Sequence, residues 1–181
     1  NRRMDDRLIL ALDQGTTSSR AIVFDRAGAV RAVSQRPLAA TFPHPGWVNQ
    51  DAADILDSVV ACARDALAAP GIHADRIAAI GITNQRETIL WDRASGEPVS
   101  PAIVWQSRQS TPQVEAIARR GMTDRYQRIT GLVPDAYFSA TKIAWLLDHD
   151  RERRRRPEDG EILFGTAGTW LLRRLSAGAV H

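Results

Sequence analysis

Arg7-Leu8-Ile9-Leu10-Ala11-Leu12-Asp13-Gln14-Gly15-Thr16-Thr17-Ser18-Ser19-Arg20-Ala21-Ile22-Val23-Phe24-Asp25 is the stretch whose reading decides the fold class. The apolar run from Arg7 to Leu12 suits a buried strand, and Arg20 to Asp25 reads as a second. Between them, Gln14 to Ser19 is a turn of small residues. A third strand, Ala29 to Gln35, alternates in character and is reached through the hairpin loop Arg26-Ala27-Gly28. Two hairpins in succession predict an antiparallel meander of three strands.

Downstream, the Pro- and Gly-rich stretch Pro37 to Gln50 reads as a loop carrying Trp47. Asp51 is a candidate N-cap for a helix that sets Ile55, Val59, Cys62 and Ala66 on one face and ends at Pro70-Gly71. Cys62 belongs to that apolar face and reads as core. Strands are expected over Ile77 to Thr83, Thr88 to Trp91 and Ala102 to Trp105, with a turn from Asp92 to Gly96. Helices follow over Thr111 to Arg120 and Thr141 to Asp148, then a strand over Ile162 to Phe164 and a helix from Thr169 to Leu175 stopped by Gly178. Helices and strands that alternate after a meander predict a mixed α/β layer fold.

Composition narrows the function classes. The 181 residues are 44% hydrophobic and 25% charged, which argues against a disordered tail or a coiled coil. One cysteine forms no internal disulfide, and His44, His73, His149 and His181 have no metal-ligand spacing. The apolar run Leu8 to Leu12 is too short for a membrane span and lacks a signal-peptide cleavage site, so the expected compartment is the cytoplasm. The net charge of +3 traces to Arg151-Glu152-Arg153-Arg154-Arg155-Arg156, and the remainder is close to neutral. Neither a nucleic-acid partner nor a membrane is expected. The arginine run reads as a solvated helix end or loop, or as a phosphate or partner contact.

Three constellations could carry chemistry. Asp13 to Arg20 puts a carboxylate, a glycine, four hydroxyls and an arginine at a strand exit. Gly15 allows close backbone approach to an anion, the hydroxyls donate to phosphate oxygens, and Asp13 could hold hydrated Mg²⁺. The run is not a Walker A loop, since no Gly-Lys-Ser/Thr follows, and a polar hairpin serving only turn geometry is the alternative. Thr83-Asn84-Gln85-Arg86-Glu87-Thr88 is polar throughout, and the Arg86 fork and the Glu87 carboxylate suit adjacent hydroxyls of a polyol. An exposed hairpin turn is the alternative there. Trp47, Trp91, Trp105 and Tyr137 lie near loops and strand ends, where an aromatic covers a polyol's CH face or packs in the core. Trp91, Trp145 and Trp170 read as packing residues.

In this order the constellations resemble the glycerol kinases of the FGGY carbohydrate kinase family. The match rests on Leu12 to Arg20, Pro45-Gly46-Trp47-Val48, Ile80 to Thr88 and Ala102-Ile103-Val104-Trp105-Gln106. Gly131-Leu132-Val133 and Tyr137-Phe138-Ser139-Ala140-Thr141-Lys142 continue it. The resemblance implies an actin-like, ribonuclease-H-type fold, with 8–181 as most of an N-terminal glycerol-binding domain and the C-terminal domain absent. Residues 1–7 would then be a leader or cloning residues.

It further implies that Asp13 assists Mg²⁺, that Thr16, Thr17, Ser18 and Arg20 touch the phosphates of ATP, and that Arg86, Glu87 and Tyr137 bind glycerol beside Trp105. The implied reaction moves the ATP γ-phosphoryl group to glycerol, giving glycerol 3-phosphate and ADP. The general base is expected beyond His181, so this piece alone is expected to be inactive. A homo-oligomer is expected of the full-length protein. Three positions depart from the pattern: Gly168 replaces a common Asp, Ser107 a common Cys, and Ala136 a usual Pro, a change that could loosen the Tyr137 loop. The alternatives are a kinase for another polyol or a ketose, and a non-catalytic half-kinase that binds glycerol or a partner.

Overall fold

The computed structural model describes residues 6–149 and 159–179. In chain order the elements are β1 (Leu8–Gln14), β2 (Ser18–Asp25), β3 (Val30–Pro37), β4 (Asn49–Gln50), α1 (Ala52–Leu67), a 3₁₀ turn (Ala74–Arg76), β5 (Ile77–Asn84), β6 (Thr88–Asp92) and β7 (Ala102–Ile103). Then come α2 (Thr111–Arg119), α3 (Thr123–Thr130), α4 (Ser139–Asp148), β8 (Ile162–Thr166) and α5 (Ala167–Leu175). The chain divides into two compact units. One holds the chain up to Ala39 with Ala53–Gln85, and the other holds Ala40–Ala52 and the chain from Arg86 onward.

In the first unit the expected meander forms. β1 and β2 pair antiparallel from Leu8↔Asp25 to Gln14↔Ser19, and β2 pairs antiparallel with β3. β5 joins β1 in parallel, so the sheet is mixed, with order β3-β2-β1-β5. Period-two alternation buries Leu8, Leu10, Leu12 and Gln14 on one face of β1. On α1, Ile55, Val59, Cys62 and Ala66 are buried, the face read from their spacing. The Cys62 thiol donates to the Ser19 carbonyl (3.3 Å), the Ser58 and Ser19 hydroxyls meet at 2.8 Å, and Asp65 accepts from Arg36 (2.8 Å). These contacts place α1 against β2 and β3.

In the second unit the sheet order is β4-β7-β6-β8, with β6 antiparallel to β8 from Thr88↔Thr166 to Asp92↔Ile162. Thr88 to Trp91 are all buried, as suits a central strand covered on both faces. Leu90, Ile103, Leu146 and Ile162 form a core cluster flanked by Val99, Ile143, Trp145 and Leu147. Trp91 and Trp170 are buried as expected, and the Trp170 indole N–H donates to the Gly96 carbonyl (3.4 Å).

Several details differ from the expectations. The strand expected over Ala102 to Trp105 stops at Ile103, because Val104 and Trp105 enter a turn closed by the Ser107 N–H on the Val104 carbonyl (3.0 Å). β4 lies inside the stretch read as a loop, and α3 was not anticipated. The helices α4 and α5 begin earlier than their apolar spacing indicated, at Ser139 and Ala167. The arginine run Arg151 to Arg156 lies outside the described residues. Among the described residues no helix is long and apolar enough to cross a membrane.

The β1–β2 turn is tight at Gly15. Its N–H donates to the Ser18 carbonyl at 2.9 Å, and a Cβ there would stand 2.8 Å from that same oxygen. Gly15→Ala should force the turn open and destabilise the fold by about 2 kcal/mol. A urea midpoint equal to that of the parent would show that the turn yields freely.

Candidate active site

The predicted site residues fall in two groups, one in each unit. Asp13, Thr16, Thr17, Ser18 and Arg20 belong to the first unit, at the β1–β2 turn. Asp13 ends β1, half-buried, between Arg20 on β2 and Thr83 on β5 in the strand register. Among the described residues its carboxylate has no hydrogen bond or ion pair. Thr16 and Ser18 are half-buried and Thr17 is exposed, while the Thr17 carbonyl accepts from the Leu38 N–H at 2.9 Å. Ser18 and Arg20 are tethered to one partner. Gln35 donates its amide to the Ser18 hydroxyl (2.9 Å), and Arg20 donates to the Gln35 amide oxygen (3.1 Å).

Sequence reasoning passed over Gln14. Its side chain is almost wholly buried and donates to the Gly15 carbonyl at 2.8 Å, which leaves its amide oxygen without a partner. Among the described residues no group of three or more His, Cys, Asp or Glu side chains could cage a metal. A single carboxylate fits hydrated Mg²⁺, which keeps most of its waters and takes one or two protein ligands. Asp13 is the donor of that kind at this turn.

Arg86, Glu87, Trp105 and Tyr137 belong to the second unit, where Arg86, Tyr137 and Trp105 meet and Glu87 follows Arg86 in the chain. The Arg86 guanidinium lies over the Tyr137 ring at 5.3 Å, and the Trp105 and Tyr137 rings meet edge to face at 5.7 Å. Arg86 is exposed and both aromatics are half-buried. Glu87 is fully buried, and neither carboxylate oxygen meets a hydrogen-bonding group of another residue. The alternative of an exposed hairpin turn is therefore wrong. Strands β5 and β6 belong to different sheets, and Glu87 is already inside because it leads directly into the buried strand β6.

Burial pushes the Glu87 carboxyl up to about 7, against smaller downward pulls from its own backbone N–H and from Lys142. Lys142 on α4 is a second residue that sequence reasoning left without a role. Its ammonium is fully buried and donates to the carbonyls of Trp105 (3.5 Å), Tyr137 (3.0 Å) and Ala136. Burial brings it down to about 8, with Asp135 opposing most strongly, Arg108 adding to the fall and Glu87 opposing it. The loop before Tyr137 is tied down around Ala136. Ala136 is buried, its carbonyl is held by Lys142, and the Tyr137 N–H donates to the Asp135 carboxylate at 2.7 Å.

Residues 8–181 match the N-terminal domain of the FGGY family of carbohydrate kinases. The chain belongs to that family. Among FGGY relatives, the glycerol kinase of Methylibium petroleiphilum is 55% identical over 174 residues, which are 96% of this chain and 35% of that protein. Glycerol kinase 1 of Lactiplantibacillus plantarum is 51% identical over 179 residues, 98% of this chain and 35% of that one. The crystal structure of Plasmodium falciparum glycerol kinase with ADP superposes with a TM-score of 0.85 at 28% identity, covering 96% of this chain and 35% of that one. Xylulose kinase from Rhodospirillum rubrum shares the fold, with a TM-score of 0.78 at 24% identity over 92% of this chain and 33% of its own. The expected actin-like α/β fold, with its mixed sheet opening in a meander, is the one observed. This FGGY chain spans about a third of the length of the curated relatives it matches.

The state of Glu87 has a thermodynamic consequence. Its ordinary value is 4.5 and its folded value about 7, so the folded state binds the extra proton. The stability it contributes is fully present below about 4.5 and is lost as pH rises through about 7. Glu87→Gln should thus melt higher than the parent at about pH 8, by up to about 3 kcal/mol, with the gap closing toward about pH 4.5. Thermal melts at the two pH values check this, and a variant no more stable at the alkaline pH contradicts it.

Proposed function

We propose that this chain is the polyol-binding N-terminal part of an ATP-dependent glycerol kinase. The observation that carries the reading is Glu87: a carboxylate kept out of water with both oxygens unpartnered, next in the chain to an exposed arginine whose guanidinium lies over the Tyr137 ring. Leaving such a group unsatisfied is costly, and a ligand with adjacent hydroxyls relieves that cost. Glycerol suits it. Its hydroxyls donate to Glu87 and accept from Arg86 and the Tyr137 phenol, while its carbon chain lies against Trp105. The identity of 51–55% to proteins named glycerol kinase supports glycerol over a larger sugar.

The chain's own residues bind and orient. Arg86 and Glu87 fix which hydroxyl is presented, and the aromatic faces keep water from the carbon side. Bound ATP and Mg²⁺ would supply the transferable phosphoryl group and the charge that offsets its oxygens. At the β1–β2 turn, Asp13 would hold the hydrated metal through water. Thr16, Thr17, Ser18 and Arg20 would donate to phosphate oxygens, Ser18 while still accepting from Gln35 and Arg20 through N–H groups other than those given to Gln35.

In the complete kinase, Glu87→Gln should raise the KM for glycerol by about a hundredfold and leave the KM for ATP near that of the parent. Steady-state kinetics with each substrate varied decide it, and an unchanged glycerol KM sinks the polyol reading. Asp13→Ala should depress turnover at saturating glycerol by about two orders of magnitude or more. Unchanged turnover would take Asp13 out of the metal role. The 181-residue chain alone is expected to form no ADP on addition of glycerol and ATP, because it spans about a third of the length of the glycerol kinases it matches.

A further inference from the structure

We propose that Lys142 is the positioning residue of the polyol site: its ammonium binds the backbone carbonyls of Trp105, Ala136 and Tyr137 and thereby fixes the two aromatic walls. The inference rests on the reading of Arg86, Glu87, Trp105 and Tyr137 as a polyol site. Lys142 projects from α4, and its three acceptors come from two separate segments, one after β7 and one before α4. Those segments carry the Trp105 and Tyr137 rings, which meet at 5.7 Å, and the Tyr137 ring in turn lies under Arg86. One buried cation therefore sets the spacing of three of the four residues assigned to the polyol.

The sequence singles out the same residue. The chain has 24 basic residues, and Lys142 is its single lysine, the other 23 being arginine. Everywhere else the chain places a guanidinium, whose donors lie in one plane. An ammonium is compact and directs three donors out of a plane, as three convergent carbonyls require. Charge acts in the same direction. Among the described residues the charged groups acting on Lys142 are Asp135, Arg108 and Glu87, and the one acting on Glu87 is Lys142. The ammonium therefore also favours the ionised form of the Glu87 carboxylate, the form that accepts hydrogen bonds from hydroxyls.

The test uses two variants of the complete kinase, each checked for folding by its thermal melt. Lys142→Met removes the donors and the charge. The KM for glycerol should rise about tenfold or more with the KM for ATP unchanged, and the acidic limb of kcat/KM for glycerol should move to higher pH. Lys142→Arg keeps the charge but not the donor geometry, so KM should rise while the acidic limb stays in place. A general loss of packing would not separate the two variants in this way. If Glu87→Gln raises the glycerol KM while both folded Lys142 variants stay within about twofold of the parent, the role of Lys142 falls and the polyol reading stands. If Glu87→Gln also leaves KM unchanged, it is the polyol reading that fails. If neither Lys142 variant folds, the parent protein with ¹⁵N-labelled lysine decides: glycerol should shift the Lys142 ammonium resonance, and an unmoved resonance overturns the proposal.

Discussion

Taking an ammonium out of water costs several kcal/mol unless other acceptors replace the lost hydration, and in the second unit Lys142 meets that demand with backbone carbonyls alone. The requirement reaches well beyond the lysine. It obliges the segment after β7 to lie beside the segment before α4, and it obliges Ala136 to stay inside with its carbonyl turned toward the cation. Hydrogen bonds hold both sides of the Ala136–Tyr137 peptide link. Ser107 has a similar account. Its buried hydroxyl accepts from the Val48 N–H (3.1 Å) and donates to the Gln109 side chain (3.2 Å), two bonds that a thiol makes more weakly. Nothing in the structure explains Gly168.

Glu87 is the complementary case, because the fold leaves its carboxylate unanswered. A carboxylate without partners is a poor contribution to stability, and its retention inside makes sense when something else answers it. The turn at Gly15 follows the opposite strategy. Two of its polar side chains, Ser18 and Arg20, are already tethered to Gln35, so they are held in place before any anion arrives. One group stores an unmet interaction and the other stores geometry.

Strong periodicity made much of the fold legible. β1, β2 and the buried face of α1 followed from apolar spacing, because each sets a face against a core, and β6 from a short apolar run covered on both faces. What escaped lacked such a face. No residue of α3 is buried and Ile129 on it is 73% exposed, so no apolar stripe could announce the helix. β4 is two residues long within a Pro-rich stretch, held by pairing to β7 and by nothing local. The division into two sheets was hidden for the same reason, since an uninterrupted polar run from Thr83 to Thr88 looks like a hairpin whichever sheet each flanking strand joins. Of the proposed site, Arg86, Glu87, Trp105 and Tyr137 stand out by residue type and by family pattern, and the burial of Glu87 does not. Lys142 carries a composition signal of its own, one ammonium among guanidiniums, but no periodicity that announces its burial.

The burial of Cys62 and of Lys142 gives the chain a pair of intrinsic reporters. Each is the only residue of its type in the sequence, each is fully buried, and they stand in different units. A thiol reagent can therefore mark the opening of the first unit, and a lysine-specific protease can cut only once the second unit has opened. The order and rate in which the two units loosen are written into the unmodified chain, with no probe to be introduced.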